Sequence, residues 1–133
     1  MSGERDLRML LRHMKPKLQP GIFVFCTIPA GQRVPSALNP LLTFREQEGT
    51  TVVAFLEDAE RAGLRYEFAS RLITLTVPSA LDAVGFLAAI TARLAEAGIS
   101  VNAVSAFHHD HLFVPVDHAH EAIAVLQELS IAT

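Results

Sequence analysis

The densest chemistry in the chain lies in "AFHHDHLFVPVDHAH", residues 106–120, which holds five of the six histidines and two aspartates. Imidazole and carboxylate groups packed this closely suit three tasks: holding a metal ion, moving protons, or making a tight turn. With the turn centred on His109 and Asp110, His108 stands opposite His111, Phe107 opposite Leu112, Ser105 opposite Val114 and Asn102 opposite Asp117. In that register the β-carbons of His108 and His111 are about 5 Å apart, within reach of one ion. A closed zinc site needs about four ligands. Asp110 lies on the turn, while His118 and His120 lie beyond a strand of about 20 Å, so one ion cannot gather both histidine groups. The turn reading is favoured, because Asp and His accept unusual dihedrals, and His118 and His120 are expected to be solvated. A proton-transfer pair at a hairpin tip would have nothing to exclude water from a substrate. Cys26 sits in an apolar strand as a small core residue, and the chain has neither a glycine-rich phosphate loop nor a nucleophile elbow. The expectation is a protein that is not an enzyme and needs no cofactor.

The same hairpin sorts its residues by face. Val101, Ala103, Ser105, Phe107, Leu112, Val114 and Val116 form an apolar side for packing against helices. Asn102, Val104, Ala106, His108, His111 and Phe113 form a half-polar side. Asn102 offers a donor and an acceptor, suited to the backbone groups of an amino acid, and equally serves as an ordinary surface asparagine. A second candidate is "TVPSALDAVG", where a helix is expected to follow a strand. Unpaired N–H groups and the positive dipole end of such a helix attract a carboxylate. Ser79, Ala80 and Leu81 would present those groups, with Asp82 placed to pair with an amino group. The alternative is that Ser79 and Asp82 are a capping box serving only the helix. Gly85 falls inside this expected helix, at a cost of about 1 kcal/mol, which suggests a close approach by a ligand or another backbone; ordinary helix–sheet packing explains it as well.

The elements that position these residues follow from periodicity. Leu7, Leu10, Leu11 and Met14 give a short amphipathic helix, ended by Pro16 and Pro20. "IFVFCTI" reads as a central strand covered on both faces. "PAGQRVPSALNP" is a loop with at most one helical turn. "LLTFREQ" and "TTVVAFL" form a hairpin about Glu48 and Gly49, and "EDAERAGL" a helix closed by Gly63. "RLITLTV" is a strand, ending one unit and opening the next. "PSALDAVGFLAAITARLAEAG" is the long helix, capped at Ser79 and closed by Gly98. Asp117 is placed to cap the last helix, with Ala119, Ala122, Ile123, Leu126 and Leu129 as its apolar stripe. Strand, hairpin and helix recur in both halves, an α+β pattern of two tandem ferredoxin-like β-α-β-β-α-β modules with antiparallel sheets and helices on one face. After Leu129 only "SIAT" remains, too short for a last strand, so a strand of the first half is expected to fill that place. The division falls at residues 1–68 and 69–133, the modules packed as one compact unit.

Composition narrows the function. The 133 residues are 50% hydrophobic, enough to bury a core. The opening residues mix acids and bases, unlike a signal peptide, and no apolar run approaches the about 18 residues of a membrane span, so a cytoplasmic protein is expected. A single cysteine and a net charge of -3 without a Lys/Arg cluster leave neither an internal disulfide nor the footprint of a nucleic-acid binder.

The strings "GIFVFCTIP", "LLTFREQEGTTVV", "LITLTVPSALDAVGFLAAITARLAEAGISVNAV" and "HHDHLFVPVDHAHEAI" resemble the small bacterial tandem ACT-domain proteins of unknown function, over nearly the whole chain. The resemblance implies an amino-acid-binding regulatory module that pairs side by side through its sheets, hence a homodimer acting on an effector protein. The better-studied regulatory pattern offers an aspartate and a proline–glycine pair in the loop that here reads "TVPSALDAVG". The expected ligand set is Ser79, Ala80, Leu81, Asp82, Gly85 and Asn102. The alternatives are a ligand-free structural or protein-binding module and a metal-binding protein using His108 and His111.

Overall fold

Val24, Cys26 and Ile28 alternate toward one side of a β-branched, aromatic run, and that side becomes a core. The computed structural model describes residues 3–133, in two compact units: Gly21–Ser70, and the segment through Pro20 with Arg71–Thr133.

In the Gly21–Ser70 unit, β2 (Phe23–Pro29) lies between β4 (Gly49–Phe55) and the Glu67–Ser70 end of β5 (Glu67–Leu75), with β3 (Leu42–Arg45) outside β4. The order is β3-β4-β2-β5, and the β3–β4 turn falls where expected, with Arg45 opposite Thr50. The β2–β5 register slips between Phe23 and Phe25, and Phe68 takes a positive φ of 58° there, the mark of a bulge. Where a ferredoxin-like module would have its first helix, the proline-rich loop supplies one 3-10 turn, Ser36–Leu38, and sinks Leu38 fully into the core. Val24, Cys26, Ile28, Val52, Ala54 and Ala59 of α2 (Leu56–Arg61) surround it.

In the other unit, β7 (Asp110–Pro115) adjoins β5 and β6 (Asn102–Ser105) lies outside it. On the other side of β5, β1 (Pro16–Leu18) pairs antiparallel with its Ile73–Leu75 end. The order β1-β5-β7-β6 is that of a complete ferredoxin-like sheet in which β1, from the first half of the chain, takes the place of the last strand. The helices α1 (Leu7–His13), α3 (Phe86–Glu96) and α4 (Ala119–Ala132) cover one face. Leu10, Met14, Ile90, Leu94 and Leu126 from them pack on Ile73, Leu75, Leu112 and Val114. The architecture is therefore α+β, two tandem ferredoxin-like modules with helices on one face, as the sequence patterning indicates. No helix among the described residues is long and apolar enough to cross a membrane.

Three local expectations are corrected. The long helix begins at Phe86, seven residues after Ser79, because the Ser79 hydroxyl and the Ala80 N–H are drawn to partners outside it. Gly85 is consequently the N-cap, at φ 92°, and not an interior residue. Asp117 falls within a 3-10 turn, Val116–His118, and makes no cap hydrogen bond to α4, whose N-cap is His118. The β6–β7 hairpin turns through residues 106–109, closed by the Ala106 N–H donating to the His109 carbonyl at 3.0 Å. Asn102 therefore faces Phe113, and Ser105 faces Asp110. That shift is an even number of residues, so the division into two faces survives while every predicted pair changes.

Candidate functional site

Two loops of the second unit converge: residues 76–85, which carry the chain from β5 to α3, and the 106–109 turn. The corrected register makes Asp110 the first residue of β7, opposite Ser105. Asp110 is 6% exposed. Its Oδ1 accepts the Ser105 hydroxyl at 2.6 Å and its Oδ2 accepts the Ser79 hydroxyl at 2.8 Å. Two short charge-assisted bonds satisfy a carboxylate that burial would otherwise penalise.

Beside this triad lies a small cleft of about 50 Å³ that opens to solvent. Ser79, Ser105 and Asp110 supply its polar lining, and Leu81, Ala83, Phe86 and Leu87 its apolar lining. Phe86 and Leu87 are the first residues of α3, and Gly85 gives that helix no side-chain cap. The first N–H groups of α3 have no partners within the helix and carry the positive end of its dipole. A buried carboxyl group and the start of a helix without a side-chain cap thus border one cleft.

Of the expected ligand set, Ser79, Ala80 and Leu81 line this cleft. The Ala80 N–H, however, donates to the Glu4 carbonyl at 3.0 Å and is not free for a ligand. Asp82 is exposed and accepts from Arg5 Nε at 2.8 Å. Gly85 sits at the helix start and is not among the lining residues; an added β-carbon there would lie 3.5 Å from Leu7 Cδ2. Asn102 is exposed on β6 and is not among the lining residues. Asp110, Ser105, Phe86 and Leu87 also line the cleft and are not in the expected set; the spacing Ser105 to Asp110, right for opposition across a four-residue turn, was the available signal.

The histidines separate. His108 is in the turn, its ring 5.0 Å from that of Phe107, and His111 lies opposite Val104. The two are not the cross-strand pair on which the metal reading rested. Among the described residues, no group of three or more His, Cys, Asp or Glu is placed to hold an ion. His111 Nδ1 is 3.0 Å from Thr74 Oγ1, which itself accepts from Gln19 Nε2 at 3.0 Å. Which of the two groups donates depends on the His111 tautomer. Burial, and then neighbouring His109, hold His111 below the usual imidazole value, with Asp110 pulling the other way. His118 is half-buried, its Nδ1 shielded and without a partner among the described residues; His120 is exposed. Cys26 is buried in its core and its thiol is pushed up by burial, the opposite of an activated nucleophile.

Comparison with known proteins adds two kinds of likeness. The sequence profile of the ACT domain matches twice, over residues 2–71 and 67–128. Among solved structures, a Vibrio cholerae protein of unknown function, described as a possible transport protein, is 44% identical, with 93% of this chain and 95% of that one covered and a TM-score of 0.85. An Agrobacterium tumefaciens protein shares 19% identity over 88% of this chain and 89% of its own, TM-score 0.76. The regulatory subunit of aspartate kinase from Thermus flavus shares 11% over 86% of this chain and 96% of its own, TM-score 0.61. The last two share the fold alone. No curated protein matches the chain.

Proposed function

The chain belongs to the ACT-domain family, and from that premise we propose that it is a non-catalytic regulatory protein whose ligand is a free α-amino acid bound in the cleft between the 76–85 loop and the 106–109 turn. One observation carries the reading. The cleft combines a buried carboxylate, Asp110, with the uncapped start of α3, the complement of an ammonium and a carboxylate on one small molecule. Ser79 and Ser105 hold Asp110 in orientation and shield it. The first N–H groups of α3 receive the ligand carboxylate, and Leu81, Ala83 and Phe86 accommodate its side chain. The lining residues include no Lys, Arg or His, so a second carboxylate on the ligand would have no cation to meet. Uncharged side chains are expected.

The test is a thermal-unfolding screen of the purified protein against the twenty amino acids. A ligand at a hundredfold its Kd adds about 2.7 kcal/mol, a rise of several degrees for a chain of this size. A selective rise that Asp110→Asn weakens by about tenfold or more in affinity, with the folded spectrum retained, is the expected result. No rise with any amino acid overturns the reading. Leu81, Val84 and Phe107, 65%, 85% and 76% exposed beside the cleft, favour the second reading in that event, a module that binds another protein. In both readings the chain acts in the cytoplasm on a separate effector.

A further inference from the structure

Residues 3–7 lie along the cleft loop position by position. Gly3, at φ +100°, is so close that an added β-carbon would stand 2.6 Å from the Ala80 nitrogen and 2.8 Å from the Ser79 carbonyl carbon. Glu4 makes a two-ended backbone bridge. Its N–H donates to the Pro78 carbonyl at 2.7 Å, and its carbonyl accepts from the Ala80 N–H at 3.0 Å, which pairs it in parallel with Ser79. Arg5 Nε donates to Asp82 at 2.8 Å, and Leu7 Cδ2 lies where a β-carbon added at Gly85 would be 3.5 Å from it. The segment is also ordered within itself. Glu4 Oε2 accepts the N–H groups of Arg5 and Asp6, each at 3.0 Å, and Asp6 caps α1 through the Met9 N–H at 3.0 Å. Buried Leu10, Leu11 and Met14 anchor α1, so residues 3–6 can lift while the helix stays in place.

We propose that residues 3–7 are a positioning strap for the ligand cleft, so that strap docking and ligand binding are thermodynamically coupled. The link is Ser79. The strap fixes its backbone through Glu4 on either side, and its hydroxyl fixes Asp110. With the strap released, the 76–85 loop loses the β-bridge between Glu4 and Ser79, and Ser79 no longer holds the carboxylate in one orientation. Coupling is reciprocal. A ligand that requires the docked loop must protect the strap, and a strap that cannot dock must weaken the ligand. The proposal rests on the cleft being the ligand site.

The Arg5–Asp6 bond makes the coupling measurable, because trypsin can cut it only when the strap lifts. The full chain is treated with trypsin, with and without an equimolar mixture of L-alanine, L-serine, L-threonine and L-valine, and cleavage after Arg5 is followed by intact mass. The expected result is protection of about tenfold or more at saturation. In Gly3→Val, whose side chain has no room against Ala80, the mixture needed for half-maximal thermal stabilisation rises by about tenfold or more. Arg5→Glu weakens it to a lesser degree, and Asp82→Arg in the same chain restores it, a rescue that general destabilisation would not produce. Binding of the mixture with unchanged cleavage at Arg5, or with Gly3→Val within twofold of the unmodified chain, overturns the strap while leaving the cleft as the ligand site. Failure of the unmodified chain to bind any amino acid overturns both.

Discussion

Asp110 and His111 are adjacent in sequence and point to opposite faces of β7, so one serves the cleft and the other the far side of the sheet. Burial, and then neighbouring His109, favour neutral His111. Its pKa in the folded protein lies below the ordinary value of about 6.5. The stabilisation of the neutral ring is therefore fully present above pH 6.5. It is lost as pH falls through the depressed folded value, because the unfolded chain takes up the proton first. Thermal midpoints measured from pH 8 to pH 5 are expected to fall below pH 6.5 in the native chain and to fall less in His111→Asn, which keeps a polar atom near Nδ1. Parallel curves would mean that other groups carry the pH dependence. Sequence patterning placed His111 on the correct face but against the wrong partner, and it assigned Asp110 to the turn because Asp is a good turn residue. Only the register, which depends on how many residues the turn takes, distinguishes a turn aspartate from a buried one.

Helix α3 teaches a similar lesson at the scale of an element. Its C-terminal end is local, set by Gly98 at φ 75°, and was legible. Its start was not, because Ser79 with Asp82 three residues on has the form of a capping box, and the competing partners, Asp110 and Glu4, are distant in sequence. Gly85 acquires its meaning from that later start. A glycine there accommodates φ 92° and ψ -11°, and an added β-carbon would make only an ordinary contact with Leu7. The cost of Gly85→Ala is therefore backbone strain alone, about 1–2 kcal/mol in chemical denaturation, with Gly85→Asn less costly because Asn tolerates left-handed geometry. Equal stability of the alanine variant would place the helix start elsewhere. The first unit shows the converse case, in which a loop was read correctly as irregular yet turns out to sink Leu38 into the core in place of a helix.

For the whole molecule, the strand assignments carry most of the architecture. β6 is an edge strand with Asn102, Ala103 and Ser105 exposed and no charged residue along it, the kind of edge that another chain can extend. Together with exposed Leu81, Val84 and Phe107, it supports the proposal of a homodimer. Sedimentation over a hundredfold concentration range is expected to show a reversible dimer, weakened by Phe107→Ser; a monomer throughout would count against it. The amino-acid sequence by itself determined the class of fold and the identity of nearly every strand and helix, because hydrophobic periodicity and breaker residues act over a few positions. Tertiary structure alone decided that β1 completes the second module, that the hairpin turns through residues 106–109, and that Ser79, Ser105 and Asp110 meet. The β1–β5 and Ser79–Asp110 pairings join residues far apart along the chain, and the hairpin register turns on the length of its loop. The distant pairings are selected by the simultaneous satisfaction of buried hydrogen-bonding groups, which local periodicity does not encode.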